Sequence, residues 1–208
     1  MNKYTSVIVV AAFATSCSSS LAPLRKDGLK PTVVTETVLH DTDDPAIWIH
    51  PTNPQESLVI GTDKDTDGGL YVFNLQGKII KKSETIKRPN NVDIAYGLQI
   101  DGVLTDIAVT TERETNKIRI FSLPDLKPLD NGGIPVFEGE LERDPMGIAI
   151  YTRPSDKAVF AIVGRKSGPS GSYLWQYELK GTSNAKVEAT LVRKFGAYSG
   201  KKEIEAIA

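Results

Sequence analysis

Three carboxylates fall within four residues at Asp41, Asp43 and Asp44, directly before the apolar run Pro45-Ala46-Ile47-Trp48-Ile49. The run must turn inward, so the Asp43–Asp44 pair is held at the edge of the interior. Two chemistries suit such a pair. It can cap a turn by accepting hydrogen bonds from its own backbone, or it can offer hard oxygen ligands to a cation such as Ca²⁺. Further carboxylates stand at comparable places, at Asp93 in "NNVDIAY", Asp144 before "PMGIAI" and Glu205 in "KEIEAIA". Basic residues recur in a second set: Lys64 in "GTDK", Arg113 in "TTER", and Arg165 with Lys166 in "VGRK". A single acid–base pair would be an ordinary surface ion pair of little worth. Three returns of a basic residue at one position need more. Calcium on the acids, with Lys and Arg gripping phosphate oxygens beside it, accounts for both sets. A multiply charged phosphate ester would satisfy the two together.

Other mechanisms lose their residues. The two histidines, His40 and His50, read as strand-edge residues rather than zinc ligands. Cys17 is the only cysteine, which excludes an intrachain disulfide and a thiolate nucleophile within the fold. "GRKSGPSG" has its Gly and Lys in the wrong order for a phosphate loop, and "GPSGS" is not a nucleophile elbow. Hydrolysis here would have to rely on a metal-activated water. The formal net charge of −1 argues against a nucleic-acid binder.

The elements that must position these residues are short β-runs separated by Gly, Pro, Asn and Asp. No segment sustains a helical period. The chain repeats itself: "DDPAIWI", "NNVDIAY", "DPMGIAI" and "KEIEAIA" align as strand starts. Pro45, Val92, Met146 and Glu205 become equivalent, at intervals of 47, 54 and 59 residues. A second apolar strand follows each of the first three ("LVIGTDK", "DIAVTTER", "AVFAIVGRK"). A third alternates ("GLYVFNLQG", "NKIRIFSLP", "SYLWQYELKG"), and a fourth is read in "KIIKKSETI", "IPVFEGEL" and "VEATLVRKFG". Four strands per unit of about fifty residues predict an all-β fold, a β-propeller of four-stranded antiparallel blades; an irregular β-sandwich is the alternative. Trp48, Tyr71, Phe73, Tyr173, Trp175 and Tyr177 then read as sheet-packing residues. An antiparallel second strand ends where the first began, so acids and bases share one face. Three blades and one opening strand are expected, with the remainder of a closed ring lying outside this segment and the segment inactive alone.

Residues 1–17 have a charged start, an apolar stretch from Val7 to Phe13 and small residues ending at Cys17. They read as an export signal, with Cys17 as a lipidation site of the bacterial lipoprotein type or an incidental residue of an ordinary signal. Residues 18–35 read as a tether. The expected location is periplasmic, outer-membrane or extracellular.

"DDPAIWIHPTNP", "GLYVFNLQGK", "RPNNVDIAYG", "DIAVTTER" and "IEAIA" occur in an order that resembles the β-propeller phytases of bacteria, over about residues 36–208. The resemblance implies a ring of about six blades, several bound Ca²⁺ ions, and release of phosphate from phytate (inositol hexakisphosphate). It implies that Asp43 and Asp44 are calcium ligands, that Pro45 and Val92 give backbone carbonyls, and that Glu205 is a calcium-ligating acid at the active centre. Lys64, Arg113 and Arg165 would bind substrate phosphates, with Lys166 able to take the place of Arg165. Two departures stand out: a second Lys common after Lys64 is Asp65 here, and a substrate-facing Tyr aligns with Met146. Other readings are a calcium-dependent propeller lactonase or esterase, and a non-catalytic, surface-anchored propeller that binds polyanions; the expected assembly is a monomer.

Overall fold

Each of the three quartets folds into one four-stranded antiparallel sheet. In a computed structural model, which describes residues 27–201 and 203–207, the first sheet comprises β1 (Thr42–Trp48), β2 (Leu58–Asp63), β3 (Gly69–Asn74) and β4 (Ile79–Lys82). The second comprises β5 (Pro89–Ile100), β6 (Val103–Glu112), β7 (Lys117–Ser122) and β8 (Ile134–Pro135). The third comprises β9 (Pro145–Thr152), β10 (Val159–Arg165), β11 (Leu174–Gly181) and β12 (Val187–Phe195). Strand order within each sheet follows the sequence, because short turns join antiparallel neighbours. These are three blades of a β-propeller.

The blades pack face to face, and alternation along the strands supplies the contact. Ala46, Trp48, Leu58, Ile60, Leu70 and Val72 of the first blade meet Val92, Ala108 and Phe121 of the second. Ile107, Val109, Ile118 and Ile120 on the other side meet Ile148, Ala161, Val163, Trp175 and Tyr177 of the third. Tyr71 and Phe73, on the free side of the first blade, are covered by Val38 of the entering chain. Glu36 fastens that entry, accepting bonds from Ile79 N and Lys78 Nζ, both at 2.8 Å.

Among the polar ties between the first two blades, the Trp48 indole N–H donates to Asp106 Oδ2 at 2.7 Å, and Gly97 N donates to Asp106 Oδ1 at 2.8 Å. Trp48 is buried. Asp106→Ala would strand its N–H without a partner and is expected to cost about 1–3 kcal/mol. A urea midpoint equal to that of the parent would show that the tie contributes nothing.

Two expected strands differ from the sequence reading. The fourth strand of the second blade shrinks to Ile134–Pro135. Pro135 lacks an N–H for the ladder, and Gly133, Phe137 and Gly139 all take positive φ, which turns the chain out of the sheet. Residues 203–207 carry no strand. They lie along the inner strand of the third blade, where a Cβ on Gly147 would meet Glu205 O at 2.7 Å. A ladder needs a hydrogen-bonded neighbour, and among the described residues none pairs with this stretch. The leader and Cys17 lie outside the described residues. Residues 27–32 of the tether are exposed and without strand or helix.

Candidate active site

Antiparallel register decides which charges meet. Thr42 pairs with Asp63, Pro89 with Glu112 and Pro145 with Arg165, so each inner strand begins where its neighbour ends. The residue after each of those ends is Lys64, Arg113 or Lys166. Its backbone N–H donates to the chain just before the inner strand: Lys64 to Asp41 O (2.7 Å), Arg113 to Arg88 O (3.2 Å) and Lys166 to Asp144 O (2.8 Å). The repeat places these three bases equivalently at one edge.

The acids distribute between two tasks. Asp43 pairs with Lys64, Oδ1 to Nζ 2.6 Å. Asp44 is half-buried, and its Oδ2 accepts from Val92 N of the second blade at 2.9 Å. Asp93 repeats that clasp one blade on, its Oδ2 accepting from Ile150 N at 2.7 Å while Oδ1 accepts from Ile94 N at 2.7 Å. Buried threonines hold the strand starts from behind. Thr62 Oγ1 donates to Asn90 O (3.2 Å), Thr110 Oγ1 to Asn91 O (2.7 Å), and Thr111 Oγ1 to Met146 O (3.0 Å). The sequence reading passed over these threonines. Their signal was present, in "GTD" and "TTE" at one blade position.

The inner strands enclose a cavity lined by Asp44, Pro45, Asn91, Val92, Asp93, Ile148–Ile150, Ala206 and Ile207. It therefore gathers Asp44, Pro45 and Val92, three of the residues expected around calcium. The donor set fits a hard cation. Burial pushes the Asp44 carboxyl above its ordinary value, the Val92 N–H only partly offsets this, and nearby Asp43 and Asp93 push it further. Lys64 is committed to Asp43, so Asp44 carries charge that no side-chain cation among the described residues neutralises. Two positions before Val92, the buried Asn90 side-chain oxygen has no partner among the described residues. Asp43, Asp44, Asp93 and Glu205 do not converge as a tight carboxylate cage. One such group does form among the described residues, His40 with Asp65 and Asp67, whose ligand atoms lie within 4.8 Å of one another. A contact of 2.9 Å between His40 Nε2 and Asp67 Oδ1 accounts for its core, while His50 is spent on a turn, its Nδ1 accepting from Asn53 N at 3.0 Å.

Arg165 and Lys166 separate. Arg165 is fully buried, bonded to Glu140 Oε2 and Glu142 O (both 3.1 Å) and Ser172 O (3.0 Å), with its guanidinium 5.0 Å from the Phe137 ring centre. It shores up the third blade and is out of reach of a ligand at the surface. Lys166 is about half exposed and faces two neighbouring hollows. One is lined by Arg88, Arg113, Glu114, Asp144 and Lys166. The other is lined by Lys166, Ser167, Tyr198, Lys201, Glu203 and Glu205. The buried Tyr173 hydroxyl joins the two segments that meet there, donating to Lys166 O at 3.2 Å and accepting from Ile204 N at 3.4 Å. Met146 is buried and offers no side chain to this surface.

Antiparallel four-stranded blades, with acids at the inner strand starts and bases at the neighbouring strand ends, define a β-propeller. A family profile described as Phytase matches residues 4–206, and the chain belongs to the phytase family. It is 31% identical over 159 residues to the 3-phytase of Bacillus subtilis (strain 168), a match that covers 74% of this chain and 39% of that protein. The chain thus spans well under half the length of that relative.

Proposed function

We propose that this chain forms part of an exported, calcium-dependent phosphomonoester hydrolase that releases inorganic phosphate from phytate. The observation that carries the reading is the adjacency of two opposite sites. A channel cavity gathers Asp44, Pro45 and Val92, and the rim beside it carries Lys64, Arg113 and Lys166 as equivalent strand-end bases. A lactonase would leave those bases without a task.

Asp44, with the carbonyls of Pro45 and Val92, would hold one calcium ion, and Glu205 would serve as a further acid ligand on the far side of Lys166. Asp43, which pairs with Lys64 at 2.6 Å, would be a ligand on the same motif once Lys64 is drawn to substrate. When bound, calcium supplies charge neutralisation for phosphate oxygens and a water of lowered pKa. Arg113 offers a guanidinium fork to phosphoryl oxygens, and Lys64 and Lys166 offer ammonium groups with freer geometry. Glu205, in the hollow it shares with Lys166, would orient that water toward phosphorus. Backbone bonds from Lys64, Arg113 and Lys166 to the chain before each inner strand fix the strand ends that carry the bases, and groups fixed in this way stabilise developing charge. Export would follow from residues 1–17, with Cys17 as the lipid-bearing residue, and the whole protein would act as a monomer.

The test is phosphate release from phytate by the full-length protein, first with calcium and then with chelator. Arg113→Ala is expected to reduce kcat/KM by about 100-fold, a loss on the order of 2.7 kcal/mol of transition-state binding. Calcium-dependent folding with no release would instead establish a non-catalytic polyanion-binding propeller.

A further inference from the structure

The blade repeat has one reversal of sign, and it falls beside the proposed phosphate-binding bases. The residues whose carbonyls receive the three strand-end N–H groups are Asp41, Arg88 and Asp144. Two are acids and the middle one is an arginine. Arg88 also has φ of +60°, in the left-handed region that a long side chain adopts at a cost. Its backbone is fastened on both sides there, its N donating to Asp65 O at 2.9 Å and its O accepting from Arg113 N at 3.2 Å. Backbone held in such a region is found at turns, as at Phe137, and also at ligand-contacting positions.

Arg88 lines the rim hollow together with Arg113, Glu114, Asp144 and Lys166. Most other guanidinium groups of the fold are occupied. Arg119 pairs with Asp130, Arg153 with Asp156 and Arg165 with Glu140, and Arg143 bonds Val136 O. Arg88 and Arg113 have no ion-pair partner among the described residues. Glu114, the nearer in sequence of the two acids in the hollow, accepts from Thr66 Oγ1 at 2.7 Å. Two unpaired guanidinium groups and Lys166, whose Nζ lies 3.8 Å from Glu203 Oε2, outnumber Glu114 and Asp144 around one depression and make a site for an anionic group.

We infer that Arg88 is a further substrate-binding residue, gripping a phosphate group of the ester together with Arg113 and Lys166, and that its left-handed backbone is what turns it into the hollow. The inference rests on the phosphate-ester reading above and adds to it a contact made in the ground state as well as in the reaction.

Arg88→Gly separates this role from a structural one, because glycine accepts positive φ freely. Calorimetric titration of the full-length protein with phytate in chelator, where turnover is blocked, reads binding alone. Arg88→Gly is expected to bind at least about tenfold more weakly, with an unchanged or higher melting temperature, and Arg88→Lys to recover part of the loss. In steady state with calcium, KM should rise while kcat changes little. Equal binding by parent and Arg88→Gly would overturn the inference and leave the phosphate-ester reading intact. A lowered melting temperature with no recovery in Arg88→Lys would overturn it in favour of a structural role. Failure of the parent protein both to bind phytate in chelator and to release phosphate from it with calcium would bring down the phosphate-ester reading itself, and this inference with it.

Discussion

Asp44→Asn is expected to remove calcium-dependent phosphate release, by at least about 100-fold, while the calcium-free protein melts at the same temperature as the parent or above it. The activity loss follows from taking away one of the two carboxylates, Asp44 and Asp93, that line the channel cavity, the one that adjoins Pro45 and accepts from Val92 N. Metal-assisted stabilisation of a phosphoryl transition state is worth several kcal/mol, and each factor of ten is about 1.4 kcal/mol. Stability should move the other way. Burial and the neighbouring Asp43 and Asp93 disfavour the Asp44 charge, as its raised pKa records. A neutral amide of the same shape removes that penalty, and its oxygen can still accept from Val92 N, now 2.9 Å from Asp44 Oδ2. Calcium should therefore raise the melting temperature of the parent by more than that of the variant. Full release by Asp44→Asn, or equal calcium shifts in both proteins, would remove Asp44 from the metal site.

Asp130→Ala should be the most destabilising single change in the second blade, at about 3–5 kcal/mol. Asp130 is fully buried, and its Oδ2 accepts from both Arg119 Nε (2.8 Å) and Ile120 N (2.7 Å). Arg119 is itself buried and reaches Glu84 of the first blade, with Glu112 Oε2 at 3.9 Å. Burial works against its charge, but the bonds to Asp130 and Glu84 outweigh this and hold its pKa above the ordinary value. Removing one carboxylate leaves a buried guanidinium short of its partner and the Ile120 N–H unpaired, which is why the cost exceeds that of a surface pair. The network also bears on the rim, because Glu112 Oε1 accepts from Lys87 N at 2.8 Å, one residue before Arg88. Denaturant unfolding measures the effect. A loss below about 1 kcal/mol would mean that water replaces the missing carboxylate without penalty.

The blade repeat was readable because each first strand opens on an acid or amide followed by an alternating apolar run. That alternation survives in the structure as the faces that carry Ala46, Trp48 and Ile60 into one interface and Ile148, Ala161 and Val163 into the next. The short eighth strand was less readable. "IPVFEGEL" has the composition of a strand, but Phe137 takes φ of +54° and ends the pairing. The stretch around Glu205 reads as a strand by analogy with its equivalents, yet strand formation depends on a neighbour that local sequence does not contain.

Site residues divide along the same line. Asp44, Val92, Lys64 and Arg113 were legible as chemistry because their types recur at blade-equivalent positions, and register alone brings strand starts and strand ends to one edge. Arg165 and Lys166 were indistinguishable in "VGRK". A one-residue difference in a β-strand exchanges one side for the other, and here it sends Arg165 into contact with Glu140 and Phe137 while Lys166 stays at the rim. Arg88 carries no signal in "IKRPNN"; its role depends on a left-handed backbone and on Arg113, twenty-five residues later, meeting it across a hydrogen bond. Periodicity and residue type thus determined the blades and the nature of their rim, because both are local properties of the chain. Which of two adjacent cations is buried, and which acid is left without a counter-charge, was decided by packing between strands distant in sequence.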